Sequence, residues 1–286
     1  EAVKSIVDDL PEMHEIIVGE ALTGLQKDSV IDKVTLNQVN YLRAKFYLKK
    51  NNPAKALEYA GLVSADHPSY FRAQFVAGIA EYTLNKHDSA IDRFKKAVSE
   101  MNRRKADKNA IALMQINLAR IAFQKGRYKD SLEAYQNVPK DHPLWMQSLT
   151  EMGWAQLQSK DFPSAIGNMH SIHSPYFDGV YKPESYVVRS IGYLNICQYA
   201  DAAKWISYLD HKYMPWVKAL ESFNKGASPL KAYDLVGRYL QTGGTKTDID
   251  GVPYQVIRDV ARQRDFLNAQ TAVNLLVDES KAYAFL

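Results

Sequence analysis

The sequence predicts an all-α fold in which helix-turn-helix hairpins stack into a right-handed solenoid, with helical caps at both ends. Three observations carry that expectation. The first is a recurring small residue near the start of every second helix: Ala56, Ala90, Ser131, Ala165 and Ala202, at steps of 34, 41, 34 and 37 residues. A period near 34 accommodates two helices and their turns, and each such unit has an apolar stripe that only a neighbouring unit can cover. The second is a matching small residue on each first helix, at Ala44, Gly78, Ala119, Gly153 and Ser190. Helix axes roughly 8–10 Å apart leave little room for larger side chains at their closest approach. A glycine inside a helix costs about 0.8–1 kcal/mol relative to alanine, which packing must offset. The third is punctuation by polar turns and prolines at the expected boundaries.

The elements run in order. Residues 1–36 hold two apolar-periodic stretches, Val3 to Leu10 and Met13 to Leu25, split by Pro11; they read as N-terminal capping helices outside the repeat. Five repeats are expected at about 37–70, 71–104, 112–145, 146–182 and 183–215. Their internal turns are Asn51-Asn52-Pro53, Asn85-Lys86-His87-Asp88, Gly126-Arg127-Tyr128 and Lys160-Asp161-Phe162-Pro163, rich in helix stoppers and N-cap residues. Asp66-His67-Pro68, Asp141-His142-Pro143 and Ser174-Pro175 end units, because proline disfavours helix in the residue before it. One turn beyond the second small residue, Phe94, Tyr135, Met169 and Ile206 are expected to act as knobs, with Ala60 the smallest occupant. The seven extra residues around Met101 to Lys108 are expected to lengthen two facing helices. Beyond Pro215 the pattern weakens, and residues 216–286 read as a C-terminal helical cap with helices at about 216–224, 229–241, 253–264 and 266–284.

Spacing and residue types together resemble tetratricopeptide repeats. In that family the first helices line an inner groove. The residues expected there are Tyr41, Lys45 and Lys49; Phe75, Ile79 and Tyr82; Asn117, Arg120 and Gln124; Gln147, Glu151, Trp154 and Gln158; and Val187, Ile191 and Asn195. Amide, aromatic and basic groups in one groove suit an extended peptide or a partner helix. The competing reading is that the aromatics only pack against adjacent first helices. Chaperone-binding repeats grip a terminal carboxylate through lysine, asparagine and arginine at fixed positions. Here Lys45 and Leu113 stand where asparagine and lysine would, so that activity is not expected.

Composition bounds the partner. The 286 residues carry 36 basic and 32 acidic side chains, a net charge of +4. The one basic run, Arg103-Arg104-Lys105, is relieved by Asp107, so nucleic acid is not an expected ligand. No stretch approaches the ~18 apolar residues that span a bilayer. The single cysteine, Cys197, excludes an intramolecular disulfide and reads as a small buried hydrophobe inside a helix, near Tyr193, Ile196 and Tyr199. The chain opens on Glu1, which raises the expectation of an upstream signal peptide or anchor.

No catalytic constellation is legible, so neither enzymatic activity nor a cofactor is expected. Gly243-Gly244-Thr245-Lys246-Thr247 lacks phosphate-loop spacing and comes after a helix, so it reads as a connector. Ser228-Pro229-Leu230-Lys231 has Ser-x-x-Lys spacing without partner motifs. His170 and His173 lack a third and fourth metal ligand in sequence. His67 and His142 occupy equivalent Asp-His-Pro turns and belong to the repeat itself.

Residues 143–209 carry a closer resemblance. Pro143-Leu144-Trp145, Glu151-Met152-Gly153-Trp154, the run Ile166 to Phe177 with its Met169-His170-Ser171 and Ser174-Pro175-Tyr176-Phe177, Pro183-Glu184-Ser185, and Tyr193 with Cys197-Gln198-Tyr199 stand in this order. This resembles a tetratricopeptide family of deltaproteobacteria, some of whose members are linked to adventurous gliding motility. The resemblance implies an exported, periplasmic or envelope-associated assembly factor without enzymatic activity. Tyr176 and Phe177 are expected to pack on Trp145 or Trp154. Two alternatives stand beside this reading: a cytoplasmic adaptor of a polarity or motility regulator such as a small GTPase system, and a receptor for a small ligand or cell-wall fragment using Thr245 to Asp250.

Overall fold

The computed structural model describes residues 22, 31–177, 179–225, 229–244 and 246–284. Among them it forms thirteen α-helices and a short 3-10 turn; the one β-type pairing is an isolated bridge between Ile249 and Val252. Most of the residues read as N-terminal capping helices lie outside the described ones. Leu22 is buried, and its carbonyl accepts hydrogen bonds from Arg43 Nε and Nη2 at 3.1 and 3.0 Å. The chain divides into two compact units, 1–159 and 160–286.

The first unit holds α1 (Lys33–Lys49), α2 (Pro53–Gly61), α3 (Tyr70–Thr83), α4 (His87–Arg103), α5 (Lys108–Gln124), α6 (Tyr128–Gln136) and α7 (Trp145–Gln158). The second holds α8 (Phe162–Ile172), α9 (Pro183–Asn195), α10 (Tyr199–Asn224), α11 (Pro229–Gln241), α12 (Tyr254–Ala261) and α13 (Arg264–Ala284). Within each unit the order of packing is the order of sequence: α2 receives α3, α4 receives α5, α6 receives α7, and α8 receives α9. The extra residues after Met101 do lengthen two facing helices, since α4 and α5 each run 17 residues and meet through Val98, Met101, Met114 and Leu118.

Starts and stops come from local chemistry. Asp32, Asn52, Asp107 and Asp161 accept backbone N–H groups at the starts of α1, α2, α5 and α8, satisfying donors that a helix leaves unpaired. Every first helix ends on a residue with positive φ, five positions before the small residue: Asn51 at 55°, Asn85 at 59°, Gly126 at 74°, Lys160 at 64° and Cys197 at 61°. Hydrogen bonds from Asn52 N to Tyr47 O, Lys86 N to Glu81 O, Arg127 N to Ala122 O and Gln198 N to Tyr193 O close the same left-handed cap. Cys197 is therefore an exposed turn residue, not the buried helical one its apolar neighbours suggested. The sharp reversal between α9 and α10 needs a left-handed residue at this place, whatever its polarity.

The core rests on the size alternation. Phe94 is fully buried, and a Cβ built on Gly78 would lie 2.5 Å from its ring. In the second unit a Cβ on Gly192 would lie 2.7 Å from Ile166. Pro215 does not end a helix: α10 continues through it to Asn224, so the separate stretch expected at 216–224 is the end of one 26-residue helix. Aromatic packing holds the segment past the proline. Trp216 stacks on Tyr181 and meets Tyr213 edge-on, while Tyr213 Oη accepts a bond from Lys182 N.

Candidate partner-binding surfaces

The first-helix residues of the first unit fall into two groups. Phe75, Ile79 and Tyr82 are half-buried against the core cluster; Phe75 meets Phe94 edge-on and Tyr82 lies beside His87. Their apolar surface is largely engaged within their own hairpin, against the second helix and not against adjacent first helices. Tyr41 and Lys45 are half-buried, and Lys49, Gln124, Gln147 and Gln158 are exposed. Asn117 donates to Leu113 O of its own helix.

Arg120 and Glu151 face each other. The guanidinium donates to both carboxylate oxygens at 2.8 and 2.7 Å, Gln147 adds a bond at 2.9 Å, and Tyr135 Oη donates to the same carboxylate at 2.8 Å. Glu151 raises the Arg120 pKa through that hydrogen bond. Burial, and then the Glu151 charge, push the Tyr135 phenol well above its ordinary range. These residues neutralise one another, so a partner meets a preorganised polar cluster and not a free cation. A similar pair joins Arg93 to Glu81, with Gln74 accepting a further bond.

The two Asp-His-Pro turns behave alike. His67 Nδ1 accepts from Ser69 N and His142 Nδ1 accepts from Leu144 N, both at 3.1 Å, at the entrance of the next first helix. In both turns the imidazole ties the unit boundary to the backbone of the next helix. Among the described residues no group of three or more His, Cys, Asp or Glu side chains could hold a metal ion. The C-terminal connector is also in use: Asp248 caps α12 at Tyr254 N, and Asp250 pairs with Arg238. Thr245 and Ser228 lie outside the described residues.

Residues 41–110 and 116–168 match the family model described as tetratricopeptide repeat. The hairpins within these residues are tetratricopeptide repeats. Their arrangement is similar to several solved structures: the apo form of RapI, with a TM-score of 0.56, 12% identity and coverage of 91% of this chain and 73% of that one; kinesin light chain-like repeats of Podosopora anserina, at 0.52, 14%, 63% and 96%; and MamA from Desulfovibrio magneticus RS-1, at 0.50, 14%, 62% and 94%. At these identities the likeness is one of fold. No curated protein matches the sequence.

The fifth hairpin holds a cluster that sequence reasoning missed. His173 stacks on Tyr186 at 3.9 Å and on Trp205 at 5.4 Å, and the Arg189 guanidinium lies 3.7 Å over the Trp205 ring. Ser185 Oγ donates to Lys182 O, so it must accept from His173 Nε2, 2.8 Å away; Nδ1 then accepts from Arg189 Nη1 at 3.0 Å. That network fixes one neutral tautomer. Burial, and then the charges of Arg189 and Lys182, push the His173 pKa down to about 3. Lys182 is itself buried, with Nζ donating to Ile172 O and Phe177 O. The pattern was visible as a dense run of aromatics, but the residues come from three elements, and only packing brings them together. Tyr176, expected against a tryptophan, is instead 87% exposed, with Phe177 edge-on to it.

Proposed function

We propose that this protein is a non-enzymatic protein-protein interaction scaffold of a bacterial envelope-associated complex, serving motility or predation. The observation that carries the scaffold reading is the apolar surface of residues 160–286. Sixteen large hydrophobic side chains are exposed among the described residues there, including neighbours such as Tyr199, Ile206, Met214 and Val217 on a single helix. Exposed apolar patches of this kind mark surfaces that proteins cover. Repeat hairpins add extended first-helix rows, on which Lys49, Gln124, Gln147 and Gln158 offer polar contacts to a peptide or a helix. The envelope and motility assignment rests on the ordered motifs between Pro143 and Tyr199. Among the described residues no helix is long and apolar enough to cross a membrane.

Affinity purification of the full-length protein from its native cell, combined with fractionation, tests both parts. The expected result is recovery with the envelope fraction together with a defined set of proteins. Recovery without any stoichiometric protein partner would remove the scaffold reading, and recovery from the cytosol would remove the envelope assignment.

A further inference from the structure

The repeat alignment itself shows where a cover is missing. The knob position after each second small residue holds Ala60, Phe94, Tyr135 and Met169, all buried, and then Ile206, which is 49% exposed. The position directly after the small residue holds Leu57, Ile91, Leu132 and Ile166, each buried or half-buried, and then Ala203, which is exposed. On α8 the receiving surface is identified by contact, because Ile166 meets α9 at Gly192. The equivalent surface of α10 receives no first helix among the described residues; only its last turn, at Leu220 and Phe223, joins the cluster of α11 and α12.

Along this surface Tyr199, Ala203, Ile206, Met214 and Val217 return at intervals that keep them on one side of α10, close to a seven-residue rhythm. Beside the stripe stand Lys204, His211 and Lys218, each seven residues from the next and all exposed, with Lys225 just past the end of the helix. Asp210 and Glu221 lie within the stripe, and polar groups in such a seam set register at a cost in affinity.

We infer that the open side of α10 is a docking site for an acidic amphipathic α-helix of a partner protein, seated where a sixth first helix would lie. The apolar stripe supplies burial, and Ala203 leaves room for a partner side chain. The basic edge selects carboxylates at the flanking positions of the incoming helix and disfavours lysines there. This inference rests on the scaffold reading proposed for the whole chain.

The test uses the full chain and two synthetic helical peptides of about three heptads, both with leucine at the seam, one flanked by glutamate and the other by lysine. Fluorescence anisotropy is expected to show the acidic peptide binding at least about tenfold more tightly, with the advantage shrinking as salt rises. The double variant Ile206→Ser with Val217→Ser should lose binding about tenfold or more while keeping its melting temperature, since both side chains are already exposed. Lys204→Glu with Lys218→Glu should reverse the preference. Equal binding of both peptides, or binding indifferent to the serine variant, overturns the inference. Self-association abolished by the serine variant would also overturn it, by making a second copy the cover. If native partners co-purify equally with wild type and the serine variant, this site fails while the scaffold reading stands. If none co-purifies with either, the scaffold reading itself fails.

Discussion

Among the described residues of 31–159, three large hydrophobic side chains are exposed: Val34, Leu62 and Leu113. Among those of 160–286 there are sixteen, on a shorter stretch of chain. Both regions use the same hairpin. In the first, each second helix lies between its own first helix and the next one, so Phe94, Ile91 and Tyr135 disappear from solvent. In the second, among the described residues the later helices reach α10 only at its last turn, and the same sequence positions meet water. A repeat is thus apolar at its stacking face wherever it stands, and the next helix in the stack, by its presence or absence, makes that face core or interface.

Substitutions at equivalent positions of the two regions test this contrast. The largest effect is expected for Phe94→Ala, which empties a fully buried site and should cost about 3–5 kcal/mol; Ile206→Ala, at the equivalent position of α10, should cost well under about 1 kcal/mol. Chemical denaturation of the two variants checks the ratio, and similar losses would dissolve the contrast. Gly78→Leu should cost about 1–3 kcal/mol or more, since even its Cβ would press on the Phe94 ring.

Glu151→Ala should destabilise the first unit by about 1–3 kcal/mol, because Arg120 and Tyr135 lose their shared acceptor in a partly buried place. A double-mutant cycle with Arg120→Ala measures the coupling; additive losses would mean that the pair contributes nothing.

In the second unit His173 provides a pH signature. Its folded pKa, down to about 3, lies below the ordinary value of 6.5, so the unfolded chain binds the proton first. The stability contributed is fully present above pH 6.5 and is lost as pH falls toward 3. His173→Phe keeps a ring between Tyr186 and Trp205 but cannot titrate. The difference in melting temperature between wild type and this variant should therefore shift against wild type on acidification; a constant difference would refute the neutral tautomer. The smallest effect is expected at Cys197, where glycine relieves a left-handed φ of 61° and should stabilise by about 0.5–1 kcal/mol in a denaturant titration.

Much of the fold was legible because it is periodic. Gly78 and Phe94 are readable as a pair from spacing alone, and so are the turns at Asn51, Asn85 and Gly126, because glycine and asparagine advertise a left-handed residue. Cys197 and Lys160 adopt the same conformation without advertising it, and the apolar neighbours of Cys197 pointed to burial. Pro215 suggested an ending, yet Trp216 and Tyr213 anchor the helix on both sides of it. The surface residues were the least legible. Arg120 looks like a free cation until Glu151 is placed opposite it, 31 residues away in sequence.

Side-chain size at fixed intervals was enough for the sequence to determine the all-α repeat fold, because the distance between helix axes is set locally by the small residues that line it. Only the tertiary structure decided which of these equivalent faces are covered. The composition of Ile206 and Val217 does not differ from that of a core seam, and exposure is a property of the neighbour, not of the residue.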